Sequence, residues 1–171
     1  MKKIFILNGS GGVGKDTFVQ CVKDYTFRIK DKYVQHISSV DKVKTAAKNI
    51  GWNGEKDEKG RKFLSDIKMA LSDYDDSPFK HIENQVEFFR MESYYGVLFI
   101  DIREPEEIER AKKEFGAQTI LITSNRVEQV TSNMADAGVH EYQYDIIIEN
   151  NGTLEDLFDS AIKFSQEFIF K

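Results

Sequence analysis

The sequence predicts an α/β sandwich built on a parallel sheet, and three observations carry that expectation. Short runs rich in β-branched and aromatic residues occur at 4–7, 33–37, 97–102, 119–123 and 145–148, and segments with helical apolar spacing separate them. Runs such as Ile-Phe-Ile-Leu and Val-Leu-Phe-Ile are apolar at consecutive positions, which suits strands buried on both faces. Alternation of strand and helix then favours parallel pairing with right-handed crossovers. The expected architecture is a three-layer sandwich around a five-stranded parallel sheet.

The helices follow from counted positions: Phe18, Val22, Tyr25 and Ile29; Leu64, Ile67 and Leu71; Ile82, Val86 and Phe89; Ile108, Ala111 and Phe115. The last helix is the clearest, with Leu154, Leu157, Phe158, Ala161, Ile162, Phe168 and Ile169 on one stripe. Between the second and third strands, residues 40–95 are nearly all helical and too long for one crossover helix, so they are expected to form a helical insert over the edge of the sheet. Ser77-Pro78 reads as a helix start, with serine as the cap and proline in the first turn. Only two prolines, Pro78 and Pro105, punctuate the chain, and no linker or repeat divides it, so residues 1–171 read as a single domain.

Composition bounds the function. With 40% hydrophobic residues, including 13 Phe and 7 Tyr, 171 residues can fill a core without staples. A net charge of −5 argues against a general binder of nucleic-acid backbones. Cys21 is the single cysteine and cannot form an internal disulfide; its place on the apolar face of the first helix reads as core. No apolar stretch approaches the about 20 residues that span a bilayer, and the apolar part of the N-terminus is too short for a secretory signal. A cytoplasmic protein without a membrane or nucleic-acid partner is the expectation.

The first strand runs into Gly9-Ser10-Gly11-Gly12-Val13-Gly14-Lys15-Asp16-Thr17, which matches G-x-x-x-x-G-K with Asp where Ser or Thr is usual. Glycines let successive backbone N–H groups turn inward, and the following helix adds the partial positive charge of its N-terminus. An anion with several oxygens fits such a cradle, and Lys15 is placed to reach the β- and γ-phosphates of a nucleotide. Asp16 is either a metal ligand, directly or through water, or an acidic first-turn residue favoured by the helix dipole. Thr17 offers the missing hydroxyl one position on.

The third strand closes on Asp101-Ile102-Arg103-Glu104-Pro105-Glu106-Glu107. In open parallel sheets ligands sit outside the carboxyl ends of the strands, which would bring Asp101 and Arg103 near the glycine loop if the two strands are neighbours. Asp101 then holds Mg²⁺ through water, and Arg103 is the bidentate cation that two meeting phosphates require. The bland alternative makes Asp101 a helix cap and Arg103 a solvated side chain.

The Gly-Lys-Asp-Thr ending of the loop, together with Asp-x-Arg-x-Pro-x-Glu after the third strand, resembles the phage and bacterial deoxynucleoside monophosphate kinases, within the wider group of P-loop nucleoside monophosphate kinases. The tail Ile-Ile-Ile-Glu149-Asn150-Asn151-Gly152-Thr153-Leu154 is similar to their last strand, base-side loop and final helix. The resemblance implies ATP as phosphoryl donor, Mg²⁺, and a (deoxy)nucleoside monophosphate as acceptor. It implies a nucleotide site at Gly9, Gly11, Gly12, Val13, Gly14, Lys15, Asp16 and Thr17, with Asn150 and Gly152 against the base. It also implies Lys15 and Asp16 on the donor phosphates and metal, Arg103 where donor and acceptor phosphates meet, and an insert that covers the acceptor; Thr17 and Asp101 complete the expected metal set, and Arg126, the third expected catalytic cation with Lys15 and Arg103, reads either as a lid arginine on the donor or as a surface arginine.

The chain departs from that group in its short lid, residues 125–143, where Arg126 is the sole cation besides His140. In the insert, Lys44, Arg61, Lys62, Lys68, Lys80 and Arg90 are available to an acceptor phosphate. Arg61 and Lys68 lie seven apart, on one helix face, and with Arg103 form the expected acceptor set; the same spacing also describes a solvated face. His36, His81 and His140 have no spacing that suggests a zinc site. Two other function classes stay open: a P-loop kinase of a non-nucleotide metabolite, and a nucleotide-dependent binding protein with little transferase activity.

Overall fold

The computed structural model describes residues 2–55, 57–127, 139 and 142–171. Strands β1 (Lys3–Asn8), β2 (Tyr33–Ser38), β3 (Tyr95–Asp101), β4 (Gln118–Thr123) and β5 (Ile146–Glu149) form one sheet in the order β2-β3-β1-β4-β5, all neighbours parallel. The period-two alternation of a strand sends Phe5 and Leu7 of β1 to one face and Ile6 to the other; Val97 and Phe99 of β3 oppose Leu98 and Ile100 in the same way. Both faces are covered, which is why these strands are apolar at every position. Strand β5 differs: it lies at the edge, alternates buried and exposed residues, and leaves Ile147 63% exposed.

Helices α1 (Lys15–Lys30) and α6 (Leu154–Phe164) cover one face, and the chain continues from α6 into a π-helical turn, Ser165–Ile169. Phe164 sits at the centre of this layer, edge-on to Phe5 at 5.0 Å and to Phe18 at 5.4 Å between ring centroids. Each such buried ring contributes about 1.5–3 kcal/mol. Cys21 is buried here, as expected of a core residue. Helices α4 (Ser77–Met91) and α5 (Pro105–Phe115) cover the other face with Phe79, Ile82, Val86, Phe89, Ile108 and Ala111. Arg110 of α5 lies 3.6 Å over the Phe79 ring and is tied to Asp76 at 2.5 Å.

Segment 40–95 thus divides. Its last helix, α4, is the crossover helix of the sandwich, buried against β2 and β3. Helices α2 (Asp41–Asn49) and α3 (Glu58–Asp75) pack chiefly on each other and on α4, and α3 buries only Gly60. The cap of α4 is Asp76 rather than Ser77, which takes the first helical position. The reason is crowding: α3 ends on the residue where α4 begins, so that residue must turn left-handed, and Asp tolerates φ 57°. Of the expected lid, residues 128–138, 140 and 141 lie outside the described residues, and His140 with them. No described helix is long and apolar enough to cross a membrane.

This topology positions a site. Strand β1 pairs with β3 on one side and β4 on the other, so the chain reverses direction across the sheet at β1 and opens a crevice at the carboxyl ends. Leu7 is opposite Asp101, which sets the glycine loop and the end of β3 side by side.

Candidate active site at the carboxyl ends of the strands

The loop between β1 and α1 is held where only glycine fits. A Cβ on Gly9 would stand 2.4 Å from the Ile122 carbonyl oxygen, and one on Gly14, whose φ is +97°, 2.5 Å from Asn150 Nδ2. Gly14 caps α1 without a side-chain hydrogen bond, so the first amides of that helix are left for an anion. The Lys15 amine folds back across the loop and donates to the carbonyl oxygens of Gly9 at 2.6 Å and Ser10 at 3.1 Å. Ser10 and Val13 are buried beneath it.

Asn8 is a functional support that sequence reasoning missed. It is buried; its Oδ1 accepts from the Gly9 amide at 2.7 Å, and its Nδ2 donates to the Tyr144 hydroxyl at 2.8 Å and the Arg103 carbonyl at 3.3 Å. One side chain thus braces the glycine loop against the Arg103 turn. Burial pushes the Tyr144 phenol up to about 12, so it stays neutral and able to accept from Asn8. An asparagine at the end of an apolar strand, where the next residue is a loop glycine, was the signal available.

Beyond the ends of β4 and β5, the structure brings Arg126 and Asn150 together. Arg126 Nη2 donates to Asn150 O at 3.0 Å and Oδ1 at 3.1 Å, while Asn150 Nδ2 donates to the Val13 carbonyl at 2.9 Å. These residues, with Gly12, Gly14, Thr17 and Leu157, line a cleft of roughly 410 Å³, within the about 300–1,000 Å³ of small-molecule sites. The Asn150 side chain thus links Arg126 to the Val13 carbonyl of the loop. Gly152 lies behind the cap of α6, where a Cβ would meet an Asp156 oxygen at 2.4 Å.

On the other side of the loop, ligand atoms of Asp16, His36 and Asp101 all lie within 4.8 Å of one another. Thr17, expected to offer a hydroxyl to the same ion, lines the cleft with Arg126. Asp101 is not a helix cap: Glu104 caps α5, and Pro105 is its first residue. His36 is the second residue missed; it stands near the end of β2, the strand beside β3.

The insert contributes unevenly. Gly11 has Arg61 Nη2 as the nearest atom to its Cβ position, at 4.0 Å, so this α3 arginine lies over the glycine loop. Lys68, in contrast, is the centre of a partly buried ion cluster: its amine donates to Glu104 at 2.7 Å and Glu107 at 2.8 Å, and its side chain is 13% exposed. Burial pushes the Lys68 amine down, but Glu107 and Glu104 outweigh it and hold it above its ordinary value. Burial likewise raises Glu104, yet Lys68 prevails and holds it low. Glu107 is the loser of the trio, lifted by burial to about 7 despite Lys68. Other insert cations are engaged locally: Lys44 with Asp41, Lys62 with Asp66, and Arg90 with the Phe115 carbonyl.

No protein-family model matches the chain, and no curated protein matches it significantly in sequence. Solved structures do match in shape. A sugar kinase from Janibacter sp. HTCC2649 aligns over 99% of this chain and 98% of its own at 9% identity and TM-score 0.51. Shikimate kinase from Bacteroides thetaiotaomicron aligns over 99% of each chain at 13% identity and TM-score 0.49. APS kinase from Mycobacterium tuberculosis covers 97% of this chain and 98% of its own at 9% identity and TM-score 0.46. The sheet order, the glycine loop after β1 and the end-to-end match to the sugar kinase together establish a P-loop α/β fold for the chain.

Proposed function

We propose that the chain is an ATP-dependent phosphotransferase whose acceptor is a (deoxy)nucleoside monophosphate. The observation that carries this reading is the glycine loop at the carboxyl end of β1, which leaves the first α1 amides uncapped and has the Lys15 amine folded across it. Support for the acceptor comes from the Gly-Lys-Asp-Thr and Asp-x-Arg-x-Pro-x-Glu segments, which carry Asp16 and Arg103 and follow the neighbouring strands β1 and β3.

Phosphoryl transfer asks the protein mainly to position and to neutralise. The loop amides bind the β- and γ-phosphates of the donor, and Lys15 leaves the Gly9 and Ser10 carbonyls to follow the transferring group. Arg126 and Asn150 fix the base side. Arg61 approaches from α3 and Arg103 from the end of β3, so the acceptor phosphate meets guanidinium groups from two elements. Asp16 and Asp101 are the carboxylates that would hold Mg²⁺, whose chemistry when bound is to offset charge on the phosphoryl oxygens. The carboxylate pair fits a hard cation, because carboxylate oxygen is its preferred ligand.

A coupled ATP-consumption assay across the common ribo- and deoxyribonucleoside monophosphates tests the reading. Turnover with at least one monophosphate, abolished in Lys15→Ala, is expected; ATP hydrolysis without any phosphorylated product would defeat it. One observation favours a second acceptor class. Lys68 is consumed by Glu104 and Glu107, which thins the positive charge on the acceptor side and suits a metabolite other than a nucleotide. Including hydroxylated and phosphorylated metabolites in the same panel separates the two.

A further inference from the structure

His36 and Asp101 meet at close range without an aligned hydrogen bond. His36 Nε2 and Asp101 Oδ1 lie 3.2 Å apart, yet both atoms are buried and neither has an aligned hydrogen-bond partner among the described residues. A buried imidazole nitrogen and carboxylate oxygen left so are costly, since each forfeits its water without a replacement. Two ligands of one metal ion look like this. Their lone pairs aim at a shared point rather than at each other, and bonds of about 2.1–2.2 Å meeting near a right angle place the ligand atoms about 3 Å apart. The Asp16 carboxylate, reaching in from the first turn of α1, completes a triangle with no edge above 4.8 Å.

We propose that His36 is a third protein ligand of the cation site formed by Asp16 and Asp101, and that its imidazole makes the site prefer a first-row transition-metal dication such as Mn²⁺ or Co²⁺ over Mg²⁺. The chemistry is one of ligand class. Magnesium favours oxygen ligands and retained waters, and gains little from exchanging a water for imidazole nitrogen. Manganese accepts mixed nitrogen and oxygen ligands, and cobalt binds nitrogen more strongly, in the order of affinities common to such sites. The fold explains the placement: β2 lies beside β3, which lies beside β1, so the ends of three adjacent strands deliver one ligand each, Asp16 arriving through the loop after β1. The inference rests on the phosphotransferase reading only for what the ion would do, not for where it binds.

Metal binding to the nucleotide-free protein is therefore the test. Titration calorimetry with Mn²⁺, Co²⁺ and Mg²⁺ is expected to give at least about tenfold tighter binding of Mn²⁺ and Co²⁺ than of Mg²⁺. His36→Gln should lose that preference, while His36→Asp should shift it toward Mg²⁺, with thermal melts confirming that each variant folds. Pulsed EPR of the Mn²⁺-loaded wild-type chain should show coupling to an imidazole nitrogen, and this readout stands even if a variant misfolds. Equal affinity for Mg²⁺ and Mn²⁺, no Mn²⁺ binding, or an Mn²⁺ signal without nitrogen coupling would each overturn the proposal. ATP binding measured separately in Mg²⁺ reports on the kinase reading, so the two ideas fail independently.

Discussion

Replacing Glu107 by glutamine probes the buried cluster that ties α3 to α5. The Glu107 carboxyl is lifted from an ordinary 4.5 to about 7, chiefly by burial. At about 1.36 kcal/mol per pH unit, ionising it in the folded chain costs roughly 3 kcal/mol more than ionising it unfolded. Because its folded pKa is the higher one, the folded chain binds the extra proton, and the stability this carboxyl contributes is full below pH 4.5 and lost as pH rises through about 7. Glu104 has the opposite sign: Lys68 holds it low, so its contribution is present above the ordinary carboxylate range and lost on acidification. Glutamine keeps the shape and an oxygen for Lys68 but has no charge to bury. Urea unfolding between about pH 5.5 and pH 8 should show the wild-type chain losing about 1–3 kcal/mol, the range allowing for the solvent that reaches a side chain 14% exposed. The Glu107→Gln curve should be flatter and should lie above wild type at the alkaline end. Parallel curves for the two proteins would refute the placement of the extra charge on this cluster.

Other substitutions separate scaffold from chemistry. Lys15→Ala should reduce turnover by at least about 10²-fold with the melting temperature nearly unchanged; retained turnover in the coupled assay would remove the lysine from the mechanism. Gly14→Ala and Gly116→Ala form a matched pair, since both positions have positive φ but only the first meets another atom, Asn150 Nδ2. Gly116→Ala should cost about 1–2 kcal/mol for its backbone alone, Gly14→Ala clearly more, by denaturant unfolding; equal losses would mean that Asn150 is not pressed against the loop. Tyr144→Phe removes the acceptor of Asn8 Nδ2 and should cost about 1–2 kcal/mol, with nucleotide affinity falling in calorimetry as the loop loosens. A change below a few tenths of a kcal/mol would show that Asn8 braces the loop without Tyr144.

The sheet was legible because burial on both faces writes itself as consecutive apolar residues, as in Ile4 to Leu7, and the phosphate loop because its glycines answer a steric demand visible at Gly9 and Gly14. Features set by tertiary neighbours were not legible. Spacing put Arg61 and Lys68 on one helix face, but it carries no information about what that face meets; in the fold Arg61 reaches Gly11 while Lys68, two turns on, meets Glu104 and Glu107 of α5. His36 has no metal-ligand spacing at all, because its companions arrive from two other strands, and only sheet order brings them together.

The cluster around Lys68 gives the acceptor side a logic that a direct phosphate contact would not. Helix α3 buries only Gly60 of its own length, so apolar packing fixes it weakly, and a helix so held has freedom to tilt. Two charge-assisted bonds from Lys68 to the first turn of α5 restrain that freedom, and Glu104 is the residue after Arg103. The same restraint therefore sets both arginines: Arg61 through α3 and Arg103 through its neighbour. Breaking it by Lys68→Met leaves the largely buried Glu107 carboxylate facing the half-exposed Glu104, a loss of about 1–3 kcal/mol if neither is protonated. Glu107 can take up a proton near neutral pH, so the loss should shrink as pH falls from about 8 to 6. A Lys68→Met variant that keeps its stability but weakens acceptor affinity at every pH would instead make the lysine a phosphate ligand.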